Sequence, residues 1–315
     1  MNVALCLLVY GGLVALFGPS VLQWLTRSGA APRLGVVAWL VTIVGALGSW
    51  LLAAGMLLVE FATYWHADVA VRVCVDALST PVNEAASPTL RTASFAVAAV
   101  VIAGTVVVLW RSARILLRMR RRTLEHARAV LLVGRLRPDL GVVVLDSPQP
   151  QAYCVAGRPD AIVVTSAALD TLAPDQLTAV LAHERAHLRG RHGALTAFVR
   201  GLATILPRVR LLRVGAEEIN RLLEMCADDE AARRHGAEPL LGGLIALVGA
   251  GPATPVHAMN AAATAVVARA ERLVSPASAM RRATNRTALL GVITATMMGM
   301  LEVAAGLLIC SWVLG

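Results

Sequence analysis

Long uncharged stretches alternate with charged, mixed segments along this chain, and the alternation separates membrane parts from water-exposed parts. Two uncharged stretches cover Val3–Leu25 and Leu34–Val59, and a third apolar stretch, rich in valine and alanine, covers Thr92–Trp110. A fourth covers Thr287–Leu314 and holds a single charge, Glu302. Because a helix needs about 20 apolar residues to cross a bilayer core, the pattern predicts four membrane-spanning helices.

The segment between the third and fourth spans has the pattern of a folded domain in water. Leu140–Leu145 predicts a strand, and Gln151–Thr165 predicts a hairpin that turns at residues 157–160. Pro174 then starts a helix, and a second, acidic helix is expected over Glu217–Arg234. The fold class is therefore a mainly α, four-span helical membrane protein that carries an α+β domain.

The predicted domain boundaries follow from these elements. They are residues 1–110 for three transmembrane helices with an extracytoplasmic loop at 60–91, residues 111–286 for the cytosolic domain, and residues 287–315 for the fourth transmembrane helix. The first span lacks a basic start and a clear cleavage site, so we expect an anchor and not a cleaved signal peptide.

Composition and charge agree with a membrane location. Of the 315 residues, 57% are hydrophobic and only 16% are charged, which is too apolar for an ordinary soluble domain. The net charge of +9 comes from arginine alone, and the densest basic run, Arg111–Arg122, follows the third span. By the positive-inside rule this side faces the cytoplasm, which places both termini outside a bacterial cell membrane. Basic residues beside apolar spans favour anionic lipid over nucleic acid as a partner.

The candidate chemistry lies in the helix after Pro174, in the sequence His183-Glu184-Arg185-Ala186-His187. Two histidines four residues apart lie on one face of a helix, where both imidazoles can reach one metal ion. Glu184 can keep its carboxylate free to take a proton from the attacking water. This is the arrangement of a zinc metalloprotease, although a pattern with two free positions also occurs by chance in unrelated helices.

A zinc site of this kind needs a third protein ligand, and the acidic second helix offers candidates. Glu224 and Asp228 lie one helical turn apart and face the same way. Glu224 can complete the ligand set and leave the fourth position to water, while Asp228 can accept the outer N–H of a ligating histidine. The alternative is a solvated acidic helix face. His192 and His235 are expected to be ordinary polar residues, and Cys226 a small buried one.

These residues resemble the gluzincin metallopeptidases, in which H-E-x-x-H is followed by E-x-x-x-D on a second helix. The resemblance covers Leu140–Pro276. This region is similar to both the HtpX/CAAX-prenyl-protease group and the BlaR/MecR antirepressor group. It implies a membrane-embedded endopeptidase with one zinc ion. The residues that it implies are His183, His187 and Glu224 as ligands, Glu184 as general base, and Asp228 as the group that orients a histidine.

Three further residues are candidates for contacts to substrate. In the related families a basic residue after the second helix often completes the site, so Arg269 or Arg272 is expected to steady the oxyanion or an acidic ligand. The alternative for either arginine alone is a plain surface position. Tyr153 begins the segment Tyr153–Ala156, which is expected to be an exposed strand that pairs with an extended peptide.

Topology distinguishes the two related groups. Three spans before the domain, one after it and both termini outside resemble the BlaR/MecR antirepressors. This resemblance implies a cytosolic protein substrate, a winged-helix repressor, and signalling such as that of β-lactam resistance. The sequence ends at Gly315, just after the fourth span, so no penicillin-binding sensor domain is expected. Arg191-His192, after the second histidine, is closer to the HtpX pattern.

Two alternatives belong to other classes of protein. One is an HtpX-like protease for the quality control of membrane proteins, and the other is a non-catalytic membrane scaffold that bears zinc. The scaffold is disfavoured because a structural zinc site normally closes all four positions with protein ligands, whereas this chain offers three and a general base. Association into a homo-oligomer is left open. Glu302 is expected to be protonated and hydrogen-bonded between helices, with a role in signalling as the alternative.

Overall fold

The computed structural model describes residues 3–70, 88–157, 159–249 and 266–314. These residues are mainly helical, as the sequence predicts, and they contain one small mixed sheet. The helices are α1 (Val3–Thr26), α2 (Pro32–Ala70), α3 (Pro88–Val133), α4 (Ser166–Thr171), α5 (Pro174–Arg189), α6 (His192–Ile205), α7 (Arg210–His235), α8 (Ala237–Gly249), α9 (residues 266–274) and α10 (Ala279–Leu314). The strands are β1 (Arg135–Arg137), β2 (Val142–Leu145), β3 (Ala152–Val155) and β4 (Ala161–Thr165).

Helices α1 and α2 form a hairpin whose length and composition are sufficient to cross a membrane. Ala4–Thr26 and Pro32–Leu57 both have a mean hydropathy of 2.1, and they coincide with the first two predicted spans. The turn between them contains Gly29 at φ +59°, a backbone conformation that glycine adopts without strain. Trp39 of α2 is fully buried where the hairpin meets the rest of the chain.

The third and fourth predicted spans lie within longer helices. The predicted boundary at residue 110 falls inside α3, and α10 begins before the predicted start of the fourth span. The segment predicted as a loop over residues 60–91 is helical at both ends, while residues 71–87 lie outside the described part of the chain. Side chains at residues 58–98 and 303–314 also lie outside it, so the last two spans stay predictions. Glu302 is exposed on α10, next to this stretch, and its hydrogen bond between helices stays a prediction.

The sheet supports α5 and leaves one edge open beside it. Its strand order is β1-β2-β4-β3, in which β2 and β4 are parallel, whereas β3 and β4 form the predicted antiparallel hairpin. β4 is buried along its whole length. Val142 of β2 and Ile162 of β4 pack against Leu181 of α5. Strand β3 therefore becomes an edge strand that lies next to the helix with the two histidines.

Helix α7 joins the membrane hairpin to the domain. Its buried side chains Ile219 and Leu222 share one hydrophobic core with Trp39 and Ile43 of α2. A Cβ atom on Gly215 would lie 3.0 Å from Ile43 Cδ1, so glycine permits the close approach of the two helices here. Because α7 also packs against α5, the same helix contacts both the hairpin and the candidate site.

Candidate metal centre

The two histidines lie on α5, whose start and packing follow from its sequence. Pro174 occupies the first helical position, and the N–H of Ala173 donates to the side chain of Gln176, which satisfies one of the free donors at the helix start. The small and apolar side chains of α5 face inward. Only 6% of the His183 side chain and 12% of the His187 side chain are exposed. The packing of α5 thus holds both imidazoles on the inner side of the helix.

Glu224 of α7 faces these two histidines. The Nε2 atoms of His183 and His187 are 3.1 Å apart, and each lies 3.5 Å from an oxygen of Glu224. Tetrahedral nitrogen and oxygen ligands at about 2.0–2.1 Å from a zinc ion lie about 3.3–3.4 Å from one another. The three side chains could therefore hold one metal ion in the arrangement that the structure shows.

Asp228 and Arg269 lie on the outer side of His183. Oδ1 of Asp228 is 3.1 Å from Nδ1 of His183, although the direction of this contact departs from that of a well-formed hydrogen bond. Arg269 donates two hydrogen bonds to Asp228, of 2.8 and 2.5 Å, and its Nη1 atom lies 3.4 Å from Glu224. The Asp228 side chain is completely buried and needs a positive partner. Asp228 can thus orient His183, and Arg269 holds both carboxylates.

The charges of this cluster suit a bound cation. Burial lowers the pKa of His183, but the nearby carboxylates of Asp228 and Glu224 outweigh this effect and bring the pKa to about 9. Burial raises the pKa of Glu224, yet contacts with the two histidines and the charge of Arg269 hold it well below its ordinary value. The carboxylates therefore favour positive charge at His183, which a metal ion supplies when the imidazole is neutral.

Glu184 lies beside the ligand cluster and against strand β3. Burial raises the pKa of Glu184, while the charges of the neighbouring histidines lower it. A carboxyl group with a raised pKa is suited to accept a proton and to return it. Burial, and then the charge of Glu184, raises the pKa of the Cys154 thiol to about 12, so this thiol stays protonated at neutral pH. The contact between Cys154 and Glu184 joins a strand to a helix, and sequence spacing carries no signal for it.

His192 lies outside the group of three residues that could hold a metal ion, but it contacts a member of that group. Its Nδ1 atom lies 2.9 Å from Nδ1 of His187. Arg191 adopts a left-handed conformation, with φ at 50°, and this sharp turn after α5 brings His192 back towards the motif. The short distance in sequence between His187 and His192 was the available signal, but the turn that makes the contact was not predictable from it. His235, in contrast, is exposed at the end of α7.

Arg272 lies one helical turn beyond Arg269 and makes different contacts. It donates to Asp229 at 2.7 Å and to the carbonyl oxygen of Met225 at 3.0 Å. Of the two arginines considered from the sequence, Arg269 contacts the acidic ligand, while Arg272 holds the adjoining turn of α7. Cys226 is buried, as expected.

A groove of about 910 Å³ passes the candidate site, with His187 in its wall. Strand β3 forms one side of it with Tyr153 and Cys154, and α3 and α6 form the others, with apolar side chains that include Leu124 and Phe198. Within the described residues, β4 is the strand that pairs with β3, and the outer edge of β3 is open. The segment predicted to receive a peptide thus overlaps an edge strand at the groove.

Comparison with known proteins agrees with the class of protein that this site defines. Residues 118–225 match the model of Peptidase family M48, about a third of the chain, and this segment contains the two histidines, Glu184 and Glu224 but ends before Asp228. This family match, the relative described next and the two apolar helices together support a membrane-type metallopeptidase of the M48 kind. A particular relative is the Protease HtpX homolog of Salinibacter ruber (strain DSM 13855 / M31), which is 33% identical over 104 residues. The aligned part covers 30% of this chain and 37% of that relative, and no solved structure matches.

Proposed function

We propose that this chain is a zinc-dependent endopeptidase embedded in a membrane. The observation that carries the proposal is the convergence of His183, His187 and Glu224, whose donor atoms lie 3.1 to 3.5 Å apart. Imidazole and carboxylate donors suit zinc, and three protein ligands leave a position for a reacting molecule. Glu184 is next to this position as the acid–base group. The family match over the same residues supports a peptidase.

Different residues around the site carry out different parts of peptide hydrolysis. Zinc held by the three ligands would act as a Lewis acid that polarises the scissile carbonyl and acidifies a water molecule. Glu184 takes a proton from the attacking water as a C–O bond forms at the carbonyl carbon. It then passes this proton to the amide nitrogen as the C–N bond breaks, which leaves a carboxyl group and an amine. Asp228 orients His183, and Arg269 keeps Glu224 and Asp228 in place.

The groove and strand β3 suit an extended peptide as substrate. A peptide strand can pair with the open edge of β3 through main-chain hydrogen bonds, which directs its carbonyl groups towards the ligand cluster. Tyr153, which lines the groove from this strand, contacts the peptide in this arrangement. Apolar walls that include Leu124, Ala194 and Phe198 favour a bulky apolar side chain close to the cleaved bond.

In the finer form of this proposal the protein is an antirepressor-type protease. Four spans hold it in a bacterial cell membrane with both termini outside, and the site lies on the cytosolic side with the basic run Arg111–Arg122. The substrate is a cytosolic protein, such as a winged-helix repressor, whose cleavage releases transcription. The resemblance to the BlaR/MecR group and the predicted order of spans support this form.

A second candidate is a protease for the quality control of membrane proteins. The curated relative favours it, because that protein is named a Protease HtpX homolog. The groove also lies against α3, which continues into the third predicted span, so a substrate could approach it from the membrane. The two candidates share the reaction and differ in the protein that is cut.

The test combines zinc content with cleavage by the purified full chain in lipid. The wild-type protein should bind one zinc ion per chain and hydrolyse peptide bonds. Glu184→Ala should retain zinc and lose cleavage, whereas His187→Ala should lose both. Unchanged cleavage by Glu184→Ala would overturn the peptidase assignment, and zinc binding without any cleavage by the wild type would favour the scaffold.

Two substrates separate the candidate roles. The same preparation is offered a cytosolic winged-helix repressor and, separately, a misfolded membrane protein. Cleavage of the repressor at one bond, with the membrane protein left intact, supports the antirepressor. Broad cleavage of the membrane protein, with the repressor intact, supports quality control.

A further inference from the structure

Arginines from four segments line one cavity at the tip of the α1–α2 hairpin. The cavity has a volume of about 580 Å³, and its walls come from the hairpin turn, the end of α7, the end of α9 and the first turns of α10. The charged residues that line it are Arg33, Asp229, Arg233, Arg272, Arg282 and Arg286. The four segments are far apart in sequence, so only the fold brings their arginines together.

The positive charge of this cavity is only partly neutralised. Asp229 pairs with Arg272 at 2.7 Å, and Glu230, just outside, pairs with Arg33 at 3.2 Å and with Arg233. Glu230 is also shared with Arg189 and Arg234 outside the cavity, so these two carboxylates leave at least three of the five arginine charges unbalanced. Arg282 and Arg286 are exposed, and no carboxylate of the described residues forms an ion pair with either. The cavity therefore has the charge of an anion-binding site.

The position of the cavity indicates where its anion comes from. The hairpin turn joins the two helices that are apolar enough to cross a membrane, Ala4–Thr26 and Pro32–Leu57. When these two helices cross a membrane, a cavity built on the turn that joins them lies at their ends, where lipid headgroups are found. Arg282 and Arg286 also directly precede the predicted fourth span. Guanidinium groups bind phosphate oxygens through paired, charge-assisted hydrogen bonds.

We propose that this cavity binds the phosphate of an anionic phospholipid headgroup. A headgroup at this place contacts Arg282 and Arg286, whose charge is unpaired, and draws the start of α10 towards the hairpin turn and α9. Cavities of this volume are typical of sites for small molecules or their headgroups. Binding of this kind differs from the diffuse attraction of any basic surface to an acidic membrane, because it depends on particular arginines.

Helix α9 connects this cavity with the metal centre. Arg272 lines the cavity and holds Asp229, while Arg269, one turn earlier, holds Asp228 and contacts Glu224. A Cβ atom on Gly29 of the hairpin turn would lie 3.3 Å from Arg272 Cδ, so the turn and α9 are in close contact. A bound headgroup therefore steadies α9 and, through it, the acidic ligand. The effect on cleavage rests on the proposed function, whereas the lipid site does not.

The first experiment measures lipid binding by the full chain in a neutral detergent. Short-chain phosphatidylglycerol is titrated, with phosphatidylcholine of the same chain length as the uncharged comparison. The variant Arg282→Gln/Arg286→Gln should bind phosphatidylglycerol at least about tenfold more weakly than the wild type, since it loses the two unpaired guanidinium groups. The matched control, Arg121→Gln/Arg128→Gln, removes two exposed arginines of α3 outside the cavity and should bind as the wild type does.

Each other outcome of this titration overturns the site or its ligand. Equal losses in the two double variants would show diffuse attraction alone. Displacement of the lipid by inorganic phosphate at equal concentration would identify a soluble anion as the ligand. Wild-type binding by Arg282→Gln/Arg286→Gln would remove the site altogether. Circular dichroism of each variant confirms that the helices are retained.

The second experiment tests the coupling to the metal centre. In vesicles of phosphatidylcholine, addition of phosphatidylglycerol should raise both the zinc affinity and the cleavage rate of the wild type. The same addition should change neither quantity in Arg282→Gln/Arg286→Gln. Lipid binding without a change in zinc affinity would overturn the coupling and leave the peptidase standing. Tighter zinc binding without cleavage under any condition would overturn the peptidase and leave the lipid site standing.

Discussion

Nδ1 of His187 and Nδ1 of His192 lie 2.9 Å apart. Of two facing imidazole nitrogens, one must carry the hydrogen and the other must accept it. When His187 binds a metal through Nε2, its Nδ1 carries the hydrogen, so His192 has to be neutral and accept it. Burial, followed by the charge of His187, lowers the pKa of His192 to about 4, which favours this neutral form. His192 therefore selects the tautomer of His187 that suits a metal ligand.

Replacement of His192 should weaken zinc binding even though His192 is not a ligand. His192→Phe keeps a planar ring but removes the acceptor, and loss of such an outer partner typically costs about 10–100-fold in metal affinity. His192→Asn retains an acceptor and should lose less. Zinc affinity is measured by competition with a chromophoric chelator, with His235→Phe as the control far along α7. Equal affinity in His192→Phe and the wild type would contradict this role.

Removal of Arg269 should destabilise the protein strongly at neutral pH. Asp228 is completely buried, and although His183 still lies 3.1 Å away, loss of the partner that donates two hydrogen bonds to a buried carboxylate costs up to about 3–5 kcal/mol. Arg269→Leu should therefore lower the melting temperature of the metal-free protein in detergent. Arg272→Leu is the comparison. Its partner Asp229 is 35% exposed, so this variant should lose less stability. The double variant Arg269→Leu/Asp228→Asn should recover part of the loss, and its failure to do so would contradict the pairing.

The same pair predicts opposite responses to acid. Burial raises the pKa of Asp228, but the hydrogen bond to Arg269 outweighs this and holds it below its ordinary value of 3.8. In the wild type the carboxylate therefore stabilises the fold above about pH 4, and this contribution is lost as pH falls through the lowered pKa. Arg269→Leu leaves burial opposed by His183 alone, so the pKa of Asp228 should be higher than in the wild type, and this variant should gain stability relative to the wild type as pH falls from 7 to 5. Parallel pH profiles of melting temperature would contradict the assignment.

The Cys154 thiol should react slowly, and its modification should stop cleavage. Its pKa of about 12 keeps the thiol protonated at pH 8, where alkylation needs the thiolate. Once iodoacetamide has reacted, the added group lies beside Glu184 and in the groove. Labelling is followed by mass spectrometry together with activity, and Cys154→Ala should resist the inhibition. Full activity of a fully labelled wild-type protein would show that this thiol lies apart from the reacting groups.

A large side chain in the groove should impair substrate binding without loss of zinc. Ala194 is exposed and lines the groove from α6, so Ala194→Trp fills space without disturbing the core. We expect a higher KM for peptides with a bulky apolar residue at the cleaved bond, and an unchanged zinc affinity. Thr204→Trp, near the end of α6 and away from the groove, is the matched control. An identical KM in both variants would place the peptide elsewhere.

Short-range patterns predicted the elements that carry the site. The spacing of His183 and His187, the proline at the start of α5 and the turn residues of the β3–β4 hairpin act within a few residues, so sequence is sufficient for them. Glu224 was identified by its spacing from Asp228, by the need for a third ligand and by family resemblance, but no local pattern shows that it reaches the two histidines. The contact of His192 with His187 depends on the left-handed backbone at Arg191, a conformation that the local sequence does not predict.

By itself, the sequence determined a mainly helical chain with apolar helices and two histidines placed to share a metal ion, because hydropathy and helical periodicity are properties of neighbouring residues. Only the tertiary structure decided which distant groups meet. It brought Cys154 to Glu184, separated the contacts of Arg269 from those of Arg272, and gathered five arginines at the hairpin turn. These contacts follow from the packing of α7 between the hairpin and α5. Packing between distant segments produces no periodic pattern in the sequence from which the contacts could be predicted.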